Sequence, residues 1–169
     1  MWQQESSWNP DIYVSFNVSA SQLINTNLIE TIKLAAAKYN VSPKYFVLEI
    51  TETTLINRPK VVNEMLKDIK ALGVKVALDD FGTGYSSLGV LSGLPISELK
   101  IDKVFVENIL NNNQDLQLIK SIIKLGSGLG MSVIAEGVEE VEQVDVLSEN
   151  GCDLFQGYYF SKPLNKKDL

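Results

Sequence analysis

The sequence predicts an α/β fold of parallel strands, an incomplete TIM-type (βα)8 barrel. Short apolar segments alternate with longer amphipathic ones along nearly all 169 residues, as in successive βα units. Each strand candidate has one apolar face, whereas its other face ends in a polar or charged residue at the C-terminal end. An open doubly wound sheet, the alternative, would be apolar on both faces. Only six strand candidates are visible, and a full barrel has eight in about 250 residues.

The strand candidates are short apolar runs bounded by turn-forming residues. They cover residues 12–18, 46–51, 74–79, 98–102, 132–136 and 153–160. Helices are predicted between them from apolar residues three and four positions apart. One helix is expected between Pro59 and Gly73, because proline favours a first turn and glycine the position after a last one. Another, around Ile119, is expected to end at the glycines between 126 and 130.

Composition excludes several kinds of chemistry. The chain has no histidine, so it contains no Ser-His-Asp triad and no imidazole base. Its single cysteine, Cys152, is predicted to be a buried apolar side chain. The net charge of −6 disfavours binding to a nucleic-acid polymer. No apolar run reaches the roughly 20 residues of a membrane helix. We therefore expect no membrane contact by this segment and a cytoplasmic location, alone or within a larger sensor protein.

Acidic and amide side chains recur at the strand ends. Glu49 lies inside an apolar strand, where an ionised carboxylate is costly unless it is paired or bound to metal. A single buried salt bridge is the alternative explanation for Glu49. It weakens because Lys100 is the only nearby cation for many oxygen-bearing side chains at equivalent positions. These are Asn17, Asp79, Asp80, Asp102, Glu136 and Glu139.

This set of oxygen ligands, without histidine or cysteine, is typical of a hard divalent cation such as Mg²⁺ or Mn²⁺. Adjacent acids such as Asp79 and Asp80 can serve a pair of ions. Two-metal sites commonly support in-line displacement at phosphorus. The sequence therefore predicts metal-assisted hydrolysis of a phosphate ester.

A glycine- and hydroxyl-rich segment follows the two aspartates. Taken alone it is an ordinary turn into a helix, with Ser86 or Ser87 as the N-cap. After a doubly acidic strand end, it is also predicted to be a mobile active-site loop, and the two interpretations are compatible. The loop residues are Phe81, Gly82, Thr83, Gly84, Tyr85 and Ser86.

Six motifs in order resemble the EAL family of cyclic di-GMP phosphodiesterases, proteins of bacterial second-messenger signalling. They are NVSASQL at 17–23, LEITE at 48–52, DDFGTGYSSL at 79–88, LKID at 99–102, AEGVE at 135–139 and QGYYFSKP at 156–163. The resemblance implies a (βα)8 barrel that hydrolyses cyclic di-GMP to the linear dinucleotide pGpG with Mg²⁺ or Mn²⁺.

The resemblance also implies roles for individual residues. Asn17, Glu49 and Asp79 would bind the first metal, and Asp80 the second. Lys100 would hold or activate the attacking water, with Asp102 and Glu136 near the metals as catalytic residues. Glu139 and Gln156 would support the substrate and the site. Glu52 would anchor the loop that follows Asp80.

The family's eponymous Glu-Ala-Leu motif, whose glutamate is a metal ligand, is not in this sequence. We therefore expect residues 1–169 to be one truncated EAL domain: strands three to eight with their helices, the C-terminal two-thirds of the family fold. Open strand edges invite pairing with another chain, so a homodimer or other oligomer is expected. With one ligand fewer, we expect weak metal binding and weak or no hydrolysis. The alternative is a non-catalytic module that binds cyclic di-GMP or a protein.

Overall fold

The computed structural model describes residues 12–25, 27–57, 59–82, 88–165 and 167. These residues belong to two compact units. The first unit contains the described residues up to Leu78 together with those from 88 to Ser97. The second contains residues 79–82 and the described residues from Glu98 onward.

The described residues of the first unit form three strands and five helices. The strands, in their hydrogen-bonded order, are β1 (Val14–Asn17), β2 (Phe46–Thr51) and β3 (Lys75–Phe81), of which β3 continues into the second unit. The helices are α1 (Ala20–Asn25), α2 (Leu28–Tyr39), α3 (Glu52–Asn57), α4 (Pro59–Ala71) and α5 (Leu88–Leu91), with a 3₁₀ turn at Pro43–Tyr45. Strands β1 and β2 are parallel, so their C-terminal ends lie at the same edge.

Helix α4 illustrates how the sequence specifies this unit. It begins at Pro59, as predicted, and the chain leaves it through Gly73, whose φ of +90° is the left-handed conformation that glycine adopts readily. Its apolar stripe of Val62, Leu66 and Ile69 is fully buried. Burial of such side chains is worth roughly 1.5–3 kcal/mol each, which makes this face a main source of helix stability.

The second unit repeats the alternation of strand and helix. Its strands are β4 (Glu98–Ile101), β5 (Ser132–Glu136) and β6 (Leu154–Gln156), and its helices are α6 (Lys103–Val106), α7 (Asn113–Gly128) and α8 (Val141–Glu149). Strand β5 pairs in parallel with β4 on one side and β6 on the other. Parallel pairing brings the three C-terminal strand ends to one edge, near which Lys100, Glu136 and Gln156 lie.

Helix α7 ends within the predicted run of glycines. Its last residue is Gly128, and the chain turns at Gly130 with φ of +71°. Gly126 is buried, and a Cβ at this position would collide with the side chain of Val133 on β5. This glycine therefore permits a close approach of helix to strand.

Most predicted strands are present with small changes in length. The bounds of β2 and β5 agree with the prediction, whereas β1 and β6 are shorter. Val14 lies on the apolar face of β1 but is 45% exposed, so the described residues leave that face open. None of the helices described here combines the length and apolar character needed to cross a bilayer.

Candidate functional site

Lys100 lies at the centre of the acidic cluster in the second unit. Its side chain is buried on β4, and Nζ lies 2.6 Å from Oε1 of Glu136 and 3.3 Å from Oδ1 of Asp79. One ammonium group therefore contacts two carboxylates, one at the end of β5 and one on β3. Removing one partner of such a shielded pair is costly, because the remaining charge then lacks its counterion.

Asp79 and Asp80 lie near the C-terminal end of β3. The backbone N–H of Asp80 donates to Oδ1 of Asp79 at 3.1 Å. Asp80 adopts φ of +56°, a left-handed conformation that costs most non-glycine residues energy and occurs often at functional sites. Burial raises the pKa of the Asp80 carboxyl, the charges of Asp79 and Asp102 raise it further, and Lys100 opposes them.

Three carboxylates of this unit are arranged as a cation site would require. Oxygen atoms of Asp79, Asp80 and Glu136 lie within 4.8 Å of one another. All the donors are hard oxygens, and burial together with the negative charges of Asp79 and Asp102 raises the pKa of Asp80. The donor set therefore fits Mg²⁺ or Mn²⁺.

Asp102 follows β4 directly and serves as the N-cap of α6. Its Oδ1 accepts a hydrogen bond from the backbone N–H of Val104 at 2.9 Å. This bond satisfies one of the unpaired donors at the start of a helix. The observed contact is thus a structural one, while the carboxylate still lies close enough to Asp80 to raise its pKa.

Gln156 and Glu139 flank the end of β5. The register pairs Gln156 with Glu136, which directs the two side chains to the same face. The loop after β5 is joined to β6 where Val138 donates its N–H to the carbonyl of Gln156 at 3.1 Å. A cleft of about 260 Å³ opens here, and its lining includes Lys103, Glu107, Glu136, Glu139, Gln156 and Tyr158.

Asn17 and Glu49 lie side by side in the first unit. They are directly paired across β1 and β2, so both side chains point to one face of the sheet. Glu49 is buried, whereas Asn17 is exposed. A cavity of about 390 Å³ beside them is also lined by Thr51 and Thr54. The structure therefore brings together these two predicted metal ligands.

The predicted loop and its anchor are described in part. Phe81 is buried at the end of β3, and Gly82 follows with φ of +104°. Glu52 is buried at the start of α3 in the first unit. The loop residues Thr83, Gly84, Tyr85 and Ser86 lie outside the described residues, and the anchoring role of Glu52 stays a prediction.

Gln143, near the start of α8, is a contributor to this region that sequence reasoning missed. Its side chain is buried and makes three hydrogen bonds, one of them to a residue 37 positions away. A polar residue four positions after Glu139 in a helix start was a weak signal, because glutamine is common there.

Comparison with known proteins identifies the family. The family model described as "EAL domain" matches residues 1–163. The chain belongs to the EAL domain family. Among curated relatives, cyclic di-GMP phosphodiesterase RocR of Pseudomonas aeruginosa is 39% identical over 153 residues, which cover 90% of this chain and 39% of RocR.

Solved structures support the same assignment for this EAL chain. PaMucR phosphodiesterase, solved as a c-di-GMP complex, superposes with a TM-score of 0.88 at 34% identity, covering 92% of this chain and 63% of that one. BlrP1 of Klebsiella pneumoniae, solved with manganese and cy-diGMP, gives a TM-score of 0.83 at 30% identity over 89% of this chain and 39% of that one. The predicted fold class, part of a TIM-type barrel, is confirmed. This EAL chain spans about two-fifths of the length of RocR.

Proposed function

We propose that this EAL chain is the C-terminal portion of a cyclic di-GMP phosphodiesterase domain that works in the cytoplasm within a longer signalling protein. In the complete domain, two divalent cations and a water would convert cyclic di-GMP to pGpG. This chain alone would have weak or no activity. The observation that carries the proposal is the contact of Lys100 with both Asp79 and Glu136, beside Asp80.

The electrostatics of that contact suit phosphodiester hydrolysis. The anionic substrate must approach a chain of net charge −6, so local positive charge is required. We propose that Asn17, Glu49 and Asp79 hold one ion and Asp80 the other, with Mg²⁺ or Mn²⁺ as the ion. The bound cations would supply Lewis-acid stabilisation of the charge that develops on the phosphate oxygens.

The chain's own residues would orient the reactants. The ammonium group of Lys100 would donate a hydrogen bond to the attacking water and hold it, with Glu136 and Asp102 near the metals. Addition of the water oxygen to phosphorus and loss of one ester oxygen, which takes up a proton, opens the ring to the linear dinucleotide. Glu139 and Gln156 would support the substrate at the cleft after β5. Glu52 would hold the loop after Asp80.

A chromatographic assay of cyclic di-GMP with Mg²⁺ or Mn²⁺ tests this proposal. If the chain turns over substrate, Asp79→Ala and Glu49→Ala should each lower the initial rate by at least about a hundredfold, because each removes a proposed metal ligand. Glu64→Gln, at an exposed carboxylate on α4, is the matched control and should keep the wild-type rate. Turnover that survives both alanine variants would contradict the assigned site.

A second candidate is a non-catalytic module that binds cyclic di-GMP. It is favoured by the partial coverage of the solved relative, since this chain matches 63% of PaMucR. Calorimetric titration with cyclic di-GMP and Mn²⁺, run beside the assay, separates the two. Saturable binding with no pGpG from the chain supports the second candidate, and metal-dependent turnover sensitive to Asp79→Ala supports the first.

We also propose that the chain associates with a second copy. Strands β1 and β6 carry exposed apolar side chains, Val14 at 45% and Leu154 at 46% exposure, and Tyr13, just before β1, is 47% exposed. Exposed strands of this kind tend to pair with other chains. Light scattering should give a mass above that of one chain, and a stable compact monomer at micromolar concentration would contradict this.

A further inference from the structure

We infer that Gln143 is a positioning residue that fixes the loop 137–140, and through it Glu139, against α6. This inference rests on the proposed function, because Glu139 is the member of that loop assigned to the substrate. Gln143 itself is buried on α8. It would therefore act through the loop and not by touching the substrate or a metal.

The contacts of Gln143 use both ends of its amide. Oε1 accepts from the backbone N–H of Glu139 at 2.7 Å and from that of Glu140 at 3.1 Å. Nε2 donates to the carbonyl of Val106, the last residue of α6, at 3.1 Å. A buried amide that loses such partners pays a desolvation cost, so this side chain holds one arrangement strongly.

The opposite side of the loop is held by backbone hydrogen bonds. Val138 accepts from the N–H of Tyr159 at 3.0 Å and donates to the carbonyl of Gln156. Gly157 lies so close to Val138 that a Cβ would collide with its backbone. The loop is therefore held on one side by β6 and on the other by the side-chain amide of Gln143, which accepts hydrogen bonds from the backbone of Glu139 and Glu140.

Glu136 is held by different contacts. It is the last residue of β5, where the ladder to β6 and the ion pair with Lys100 fix it. Gly137, the first residue of the loop, has φ of +69° and separates Glu136 from Val138 and Glu139. Loss of Gln143 should consequently displace Glu139 while the carboxylates of Asp79, Asp80 and Glu136 keep their arrangement. Ligand binding and metal binding should then respond differently.

The test compares Gln143→Met with Gln143→Glu. Methionine has a similar length but makes none of the three hydrogen bonds, whereas glutamate still accepts from both amides and loses only the bond to Val106. Asn112→Ala is the matched control, because it removes the N-cap bond to Gln114 at the start of α7 in the same unit.

Three quantities are measured on the 169-residue chain. In Gln143→Met, the amides of Glu139 and Glu140 should exchange with deuterium about tenfold faster or more. The Kd for cyclic di-GMP with Mn²⁺ present should rise about tenfold, as for other residues that orient ligand-binding groups. The Kd for Mn²⁺ alone should stay within about twofold. Gln143→Glu should restore part of the cyclic di-GMP affinity, and Asn112→Ala should change none of the three.

Two results would overturn the inference. Unchanged exchange and affinity in Gln143→Met would make Gln143 an ordinary helix cap. Equal weakening of Mn²⁺ and cyclic di-GMP binding would mean general loosening of the site. The wild-type chain could bind no cyclic di-GMP while Gln143→Met still speeds amide hydrogen exchange at Glu139. That result would support the positioning role of Gln143 and contradict the proposed function.

Discussion

Nζ of Lys100 lies 2.6 Å from Oε1 of Glu136, and both side chains are largely shielded from solvent. The ammonium group of this lysine contacts the carboxylates of both Glu136 and Asp79. Stability and metal binding are therefore linked at this position.

Lys100→Met should lower the free energy of unfolding by roughly 3 kcal/mol in EDTA, because it removes the ammonium group that contacts two shielded carboxylates. Saturating Mn²⁺ should recover more stability in the variant than it adds to the wild type, since the ion takes over the charge compensation. Urea titrations with and without Mn²⁺ measure both effects. Lys124→Met, at an exposed site on α7, should change little. An equal Mn²⁺ effect in Lys100→Met and wild type would disprove the linkage.

Asp80→Asn should raise the stability of the metal-free chain at neutral pH by no more than about 0.5 kcal/mol, because solvent screens the charges around this exposed side chain. The pKa of Asp80 is raised in the folded state, first by burial and then by Asp79 and Asp102. Folding thus favours the protonated form, and stability is lost as pH rises through the folded pKa. Asparagine stays neutral and also tolerates the left-handed backbone.

The pH dependence supplies the control for this prediction. Below the ordinary value of 3.8, Asp80 is protonated in both folded and unfolded chains, so the charge-related advantage of Asp80→Asn should disappear. Urea titrations at neutral and acidic pH measure it. A gain of the same size at both pH values would show that backbone preference alone is responsible.

Gly157→Ala should destabilise the chain by about 1–3 kcal/mol, the usual range for forcing atoms into packed space. The added Cβ would collide with backbone atoms of Val138, which cannot move as a side-chain end can. Gly128→Ala is the control, because no atom lies within 4 Å of its Cβ position and alanine favours the helix. Thermal unfolding of the two variants should shift in opposite directions.

Cys152 should resist alkylation in the native chain at pH 8. Its thiol is 1% exposed, it lies 3.5 Å from the carbonyl oxygens of Val133 and Leu154, and burial raises its pKa above the ordinary 9.0. The reactive thiolate is therefore scarce and shielded. Iodoacetamide labelling should become fast only in urea. In Cys152→Ala carrying Ser148→Cys, at an exposed position, labelling should be fast without urea.

The strands that carry the site could be predicted because strand side chains alternate between two faces. Strand β5 was placed correctly because Val133 and Ala135 alternate with residues that face the other way, and Gly130 and Gly137 bound the run. Strand β6 was predicted to reach 160 but ends at Gln156, because Gly157 turns the chain against Val138. That close approach depends on a residue nineteen positions earlier, which local patterns do not reveal.

Site residues could be predicted from the sequence where a charged residue occurs in an otherwise apolar strand. Lys100, Asp79 and Glu136 were found this way, and the structure places them in contact. Helix α6 was missed, because four residues are too few for a helical period. Gln143 was missed for a related reason: its partner Val106 lies on that short helix.

The hydrogen bond from Gln143 to Val106 also bears on the order of folding. It joins residues that are 37 positions apart, so it closes a long loop that contains α7 and β5. Contacts that close such a long loop usually form late, on the native side of the transition state. Gln143→Met should then leave the refolding rate nearly unchanged and act on the unfolding rate. The hydrogen bonds of the Gln143 side chain would therefore order the loop and also prolong the lifetime of the native second unit.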